Sequence, residues 1–260
     1  MKAAAADAVE RGGAGAHRVR DALPPAPIID GARLPRAAVA VARHADPGHV
    51  DALLDAHAGP AVVVTDTVFS MDGDAAPLTD LLDVCAAHDA LLVLDEAHAV
   101  LGPELPPVPD GVTVLRVGTQ SKTLGALGGF VAGPRGFVDL IVNAARSFIF
   151  TTAPSPADAA AAAAAVRVLR SAEGATLVAR LRTHVDRIAP GHPSPIVPVI
   201  IGAEADAVAA SQRLLDDHSL LVPAIRPPTV APGTSRLRIA LSAAHTDDQV
   251  DRLAKALELL

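Results

Sequence analysis

The 260-residue sequence predicts an α/β fold, with a partial large domain on a mixed, mostly parallel sheet and a small C-terminal α/β domain behind it. Three observations carry this expectation. Short apolar runs alternate with helix-period segments over residues 49–146, an alanine-rich stretch fills 154–188, and strands and helices then resume on a smaller scale. Residues 1–27, rich in Ala, Gly, Arg and Pro without a sustained period, read as a poorly ordered lead-in. The large domain, 28–153, then offers a helix near 49–57, an apolar run at 61–64, a helix over 78–90 and a second run at 90–94. In that second helix Leu78, Leu81, Leu82 and Cys85 recur at the i, i+3, i+4, i+7 spacing of a buried stripe. Runs at 112–117 and 129–132 and a helix at 135–146 complete an alternation that predicts parallel strands covered on both faces.

Residues 154–260 supply a connecting helix and the small domain. The stretch 154–188 holds seven consecutive alanines at 159–165, strong helix formers, and reads as one long helix or two joined near Gly174. Strands are expected at 196–201, 220–225 and 237–241, with a helix at 204–218. The last helix opens on Thr246 and Gln249 in capping-box spacing and puts Val250, Leu253, Leu257 and Leu260 on one face.

Composition narrows the function. Half the residues are apolar, 20% are charged and the mean hydropathy is +0.35, which excludes a wholly disordered chain. Twenty-two basic against 29 acidic side chains leave a net charge of -7, which opposes a nucleic-acid partner. The single cysteine, Cys85, supports neither an internal disulfide nor a multi-thiolate metal site and fits a reducing, cytoplasmic setting. No run of about 18 apolar residues predicts a membrane span. Asp7, Glu10, Arg11 and Arg18 interrupt the early alanines, so no signal peptide is expected. The absence of Trp and Tyr and the presence of only five Phe argue against base-stacking platforms.

In open α/β sheets ligands bind beyond the carboxyl ends of the strands. Four such ends are polar: TDTVFSMDGD from Thr65, DEAH from Asp95, GTQSKT from Gly118, and the following GALGG. The DEAH tetrapeptide invites a motor-ATPase reading, but no phosphate loop precedes it, and the one Lys-Thr pair, Lys122-Thr123, has Arg116 and Ser121 where that loop needs glycines. The same residues suit pyridoxal phosphate (PLP). That cofactor needs a lysine to form a Schiff base and a carboxylate to keep its ring nitrogen protonated, and Lys122 and Asp95 supply both from two strand ends. Lysine is scarce, with only Lys2, Lys122 and Lys255, so a casual surface cation in this chain would be arginine. Small neighbours, Gly118, Thr119, Ser121 and Gly125, permit close approach and offer hydroxyls to a phosphate. Alternatives stand beside these roles: a solvated loop lysine at 122, a helix N-cap at Asp95, and a core or surface histidine at His98. Asp72 and Asp74 suit a turn around Gly73 better than a cation, so no metal site is expected. Arg236 and Arg238 alternate on one strand face, as carboxylate binding or plain solvation would both allow.

Five motifs in order, VFSMDGDAAPL, LLVLDEAHAV, VGTQSKTLGALGGFVAGP, RSFIFTT and IRPPTVAPGTSRLRIALSAAHT, resemble the α-oxoamine synthases over residues 28–260. The resemblance implies the type I fold of PLP-dependent transferases, aspartate-aminotransferase-like, in a homodimer with active sites at the subunit interface. It implies that Lys122 is the Schiff-base lysine and general base, that Asp95 partners the pyridine nitrogen, and that Ser70 and His98 lie near the phenolic oxygen. Thr119 would contact the phosphate, Thr152 the phosphate of the neighbouring subunit, and Arg238 and Arg226 the substrate. The Arg-Pro-Pro-Thr stretch at Arg226 favours the branch that condenses L-alanine with pimeloyl-CoA or a pimeloyl carrier protein in biotin biosynthesis. Relatives acting on glycine, such as glycine C-acetyltransferase, remain the alternative, as does a catalytically incompetent family fragment. Three departures are noted. The family's glycine-rich phosphate-cradling helix start is expected to be missing, with its cofactor-stacking histidine falling at Pro25. Residues 101–109 replace a glycine-rich stretch, and Gln120 replaces an apolar residue.

Overall fold

The structure, a computed structural model, describes residues 17–22 and 39–260. The rest of the expected lead-in, and with it the position Pro25, lies outside the described residues. Two compact units divide the chain, one built from residues up to Phe69, Ala75–Ala99 and Pro103–Val166, the other from Ser70–Asp74, Val100–Gly102 and Arg167–Leu260. The division after Val166 comes 13 residues later than the sequence boundary at 153, and two short excursions from the first half of the chain join the second unit.

The first unit carries a six-stranded sheet and its helices: β1 (His17–Asp21), β2 (Val39–Ala42), α1 (Pro47–Asp55), β3 (Ala61–Asp66), α2 (Leu78–Ala87), β4 (Leu91–Asp95), β5 (Val114–Thr119), β6 (Gly129–Ala132), α3 (Arg135–Ala144), α4 (Arg146–Ile149) and most of α5 (Pro156–Leu169). The order is β2-β1-β3-β4-β5-β6, with every pair parallel except β5 with β6. Successive strand residues point to opposite faces, and both faces are covered. Val63, Leu92 and Leu94 pack with Leu78, Leu81, Leu82 and Cys85 of α2 and with Val50 and Leu54 of α1, while Val62, Val93, Leu115 and Val117 face Phe137 of α3. This double burial explains the unbroken apolar runs that β3 and β4 show in the sequence. Burial also pushes the Cys85 thiol up to about 12, which leaves it protonated and inert at neutral pH.

Strand β1 corrects the lead-in reading. HRVRD offers a single apolar residue, Val19, so no period-2 pattern marks it. It forms because it is an interior strand, paired on both sides, and because its end is satisfied by polar partners. The Asp21 carboxylate accepts the Ala45 amide at 2.7 Å and meets His44 Nδ1 at 2.8 Å. Helix α1 starts where Asp46 accepts the His49 amide at 2.8 Å, with Pro47 in the first turn, where a missing N–H costs nothing.

The second unit holds the end of α5, then α6 (Ala172–Ile188), β7 (Ile196–Gly202), α7 (Glu204–His218), β8 (Ala224–Ile225), β9 (Ser235–Ala240) and α8 (Asp247–Leu257). Its antiparallel sheet runs β7-β9-β8, and the strand expected over 220–225 shrinks to two residues. The alanine-rich stretch is two helices, but they separate at Ser171 and not at Gly174. Ser171 caps α6 by accepting the Gly174 amide, and a Cβ on Gly174 would overlap the Val168 and Leu169 carbonyls, so glycine serves close approach there. Leu237 and Ile239 of β9 anchor a core with Leu181, Val185, Leu214 and Leu253. The capping box of α8 forms with both bonds, Gln249 amide to Thr246 Oγ1 at 3.2 Å and Thr246 amide to Gln249 Oε1 at 2.9 Å. Among the described residues no helix is long and apolar enough to cross a membrane.

Candidate functional site

The parallel strands of the first unit end together on polar residues. Asp66 closes β3 in register with Asp95 of β4, and Thr119 closes β5. Apolar strands run to these ends because the core demands it, and polar residues begin where the sheet stops being covered. Asp95 is 3% exposed. Its Oδ1 accepts the Ala97 amide at 3.0 Å, while the Glu96 amide reaches the Val117 carbonyl at 2.7 Å. Asp95 thus caps a turn rather than a helix, and a buried carboxylate is fixed at the sheet's end.

The chain leaves β5 through Gln120, Ser121 and Lys122 and returns as antiparallel β6. The loop is closed by main-chain bonds from Gly125 to Lys122 at 3.0 Å, from Ala126 to Gln120 at 2.8 Å and from Gln120 to Gly128 at 3.0 Å. Gly125 takes φ +58, the left-handed conformation that glycine adopts at least cost. Gln120, the departure beside the lysine motif, therefore works through its main chain. Lys122 stands exposed on this turn, and its Nζ lies 2.8 Å from His98 Nε2. Thr119 Oγ1 meets Ser121 Oγ at 2.8 Å and the Gly128 carbonyl at 3.3 Å.

Thr152 is exposed in the connection before α5, and Arg226 is exposed in a turn closed by the Thr229 amide on the Arg226 carbonyl at 3.1 Å. Ser70 and Arg238 belong to the second unit, where Arg238 donates its Nε–H to the Ser70 carbonyl at 2.6 Å. Burial lowers the pKa of Arg238 from its ordinary value. Two further residues, Arg236 and Asp72, form an ion pair in the same unit, with Arg236 only 7% exposed. Sequence reasoning assigned Asp72 only to a turn around Gly73; the turn is there, with Gly73 at φ +68, but the pairing with Arg236 spans 164 positions. The one hint was the alternation of Arg236 with Arg238 on a strand whose other face is apolar.

Residues 26–257 match the family model for aminotransferase class I and II. The chain belongs to this family. Among its class I and II relatives, the 8-amino-7-oxononanoate synthase of Burkholderia orbicola is 44% identical over 264 residues, which cover 94% of this chain and 64% of the relative. That of Halorhodospira halophila is 46% identical, covering 91% of this chain and 63% of the relative. The chain thus spans less than two thirds of the length of the curated relatives it matches. A serine palmitoyltransferase from S. paucimobilis, solved with a bound PLP-myriocin aldimine, superposes on all of this chain and 70% of its own with TM-score 0.89 at 28% identity. An 8-amino-7-oxononanoate synthase from Francisella tularensis, 22% identical with TM-score 0.77, shares the fold. The type I fold of PLP-dependent transferases expected from the motifs is the fold of this class I and II family member.

Proposed function

We propose that this chain carries the reacting residues of a PLP-dependent acyltransferase. The enzyme condenses L-alanine with a pimeloyl thioester, on CoA or on a carrier protein, and releases carbon dioxide and the free thiol to give 8-amino-7-oxononanoate. The observation that carries the reading is the placement of Lys122 Nζ 2.8 Å from His98 Nε2, on the loop leaving β5, beside the strand that ends on buried Asp95. Identity of 44% to an 8-amino-7-oxononanoate synthase supports the choice of substrates.

The donor set fits PLP. Asp95 is a fixed, buried carboxylate for a ring nitrogen, Lys122 an accessible amine for an aldehyde, and Thr119 and Ser121 a pair of hydroxyls for a phosphate. When bound, the cofactor supplies an electron sink for the carbanion at the amino-acid Cα. The residues do the rest. Asp95 holds the proton on the ring nitrogen, Lys122 anchors the cofactor and takes the Cα proton as general base, and His98 orients the Lys122 amine. Lysine serves where arginine would not, because only lysine gives up its proton at moderate cost. Arg238 takes the alanine carboxylate, with Arg226 as a further substrate arginine. Ser70 acts near the phenolic oxygen and Thr152 on the phosphate in the neighbouring subunit of a cytoplasmic homodimer.

The test is a visible-absorbance titration of the purified protein with PLP, beside Lys122→Ala. A saturable band, absent in the variant and shifted by L-alanine, is expected. A folded protein that gives no site-specific band would overturn the reading.

A further inference from the structure

Strand β9 carries two arginines on one face, two residues apart, while Leu237 and Ile239 between and beyond them enter the core. The two are treated differently. Arg236 is buried against the Asp72 carboxylate and also donates its Nε–H to the Thr234 carbonyl at 3.0 Å, so its charge is neutralised and its fork is engaged. Arg238 has its Nε–H on a neutral acceptor, the Ser70 carbonyl, at 2.6 Å, and no ion pair joins it to a carboxylate among the described residues. Its partial burial disfavours the cation, a cost that an arriving carboxylate offsets. An anion reaching this face therefore finds one arginine already neutralised and one still available.

The acceptors of both arginines, Ser70 and Asp72, sit on one short turn. Gly73 next to them takes φ +68, and a Cβ there would overlap the Ile196 carbonyl and the Ser194 hydroxyl, so the turn lies flush against the start of β7. Removing the Asp72 charge would leave Arg236 buried and unpaired, which costs far more than an exposed pair would. Without that pair the turn loses its charged tie to β9, and the Ser70 carbonyl that orients Arg238 is carried on the same turn.

We propose that Asp72 and Arg236 are positioning residues: their buried pair fixes the Ser70–Asp74 turn, whose Ser70 carbonyl aims the Arg238 guanidinium at the substrate carboxylate. Substrate use here rests on the reading of Arg238 given under Proposed function.

Arginine side-chain Nε–H signals, with that of Arg238 assigned by its absence in Arg238→Lys, test the geometry without any substrate. In Asp72→Asn the Arg238 Nε–H is expected to lose solvent protection by at least about tenfold, as its acceptor moves away. On the PLP-loaded protein the same variant is expected to raise Kd and KM for L-alanine by about tenfold or more, with kcat within about threefold. The reversed pair, Asp72→Arg with Arg236→Asp, is expected to recover part of both losses, which a merely destabilising change would not do. An unchanged Nε–H signal in folded Asp72→Asn overturns the proposal. So does a lost signal with unaltered L-alanine affinity, because the turn then does not serve substrate binding. A wild-type protein that takes up PLP but binds no L-alanine overturns both the substrate assignment and the functional half of this proposal, while the Nε–H comparison still decides the role of the pair in holding the turn.

Discussion

Lys122 and Arg238 are both cations that the proposed chemistry needs, and the fold holds them in opposite ways. Lys122 stands exposed on a glycine-closed loop of the first unit and touches another side chain, His98. Arg238 is half-buried on a strand of the second unit and is tied to main chain, with a neighbouring arginine locked into an ion pair. The difference matches the work proposed for each. A group that forms and releases covalent bonds and carries a proton needs rotamer freedom. A group that recognises a planar carboxylate gains from being oriented before the substrate arrives, since ordering it afterwards would cost affinity.

Charge-conserving swaps at the two positions give the sharpest contrast. Lys122→Arg keeps the cation but removes the amine that attacks and the base that deprotonates, and turnover is expected to fall at least about 10³-fold together with loss of the PLP absorbance band. Arg238→Lys keeps the charge but loses both the Nε–H to Ser70 and the planar fork. It is expected to raise KM for L-alanine by roughly 10- to 100-fold, corresponding to the ~1.5–3 kcal/mol of a charged hydrogen bond, with the PLP band retained. Steady-state kinetics and an absorbance titration of each variant check this. Equal losses in kcat from both swaps would abolish the distinction between a reacting and a recognising cation.

Much of this was legible from residue types, and what was not has a common cause. Strands β3 and β4 announce themselves because both faces are buried, and Lys122 stands out because lysine is nearly absent from a chain whose cations are arginines. The capping box of α8 is a local three-residue bond pattern and could be read directly. Strand β1 could not, because its side chains are mostly charged and its stability comes from pairing on both sides with strands distant in sequence. Asp72 with Arg236 could not for the same reason: each residue has an ordinary local explanation, a turn or a strand face, and the pair exists only after the fold brings them together. The helix break expected near Gly174 falls at Ser171 because glycine signals permissiveness, and here Gly174 sits inside α6 and permits close contact with two carbonyls at the end of α5 and not a bend.

The same contrast between anchored and movable parts predicts a smaller effect at the last helix. Thr246→Ala removes one half of the capping box and is expected to destabilise the protein by about 1 kcal/mol in urea unfolding. Helix α8 packs Val250, Leu253 and Ala256 inward, with Leu253 and Ala256 in the Leu237 core behind Arg238, and that core belongs to the second unit, whereas the lysine loop belongs to the first. The PLP band of the folded variant should therefore keep its position and its titration midpoint. A shift of that band without loss of stability would mean that the capping box serves the lysine loop, and would weaken the contrast.

The smallest expected effect is electrostatic, and it compares one surface carboxylate from each unit. Asp46 is held below the ordinary carboxylate range first by the His49 amide and then by Arg43; Asp186 is held down first by the Gly191 amide and then by Arg182. A carboxylate whose folded-state pKa is depressed adds stability that is fully present above its unfolded pKa and is lost as pH falls through the lower, folded value. Urea midpoints should therefore drop on acidification below about pH 4, and Asp46→Asn and Asp186→Asn should each drop less steeply than wild type as the pH falls further. Both groups are solvent-screened, so salt should shrink the Arg43 and Arg182 contributions and leave those of the two backbone amides. Because Asp46 caps α1 and Asp186 closes the turn after α6, a flatter profile in both variants would show that the two units use the same local device despite their different architectures. Profiles parallel to wild type would mean that these amide contacts survive in the unfolded chain and contribute nothing to folding.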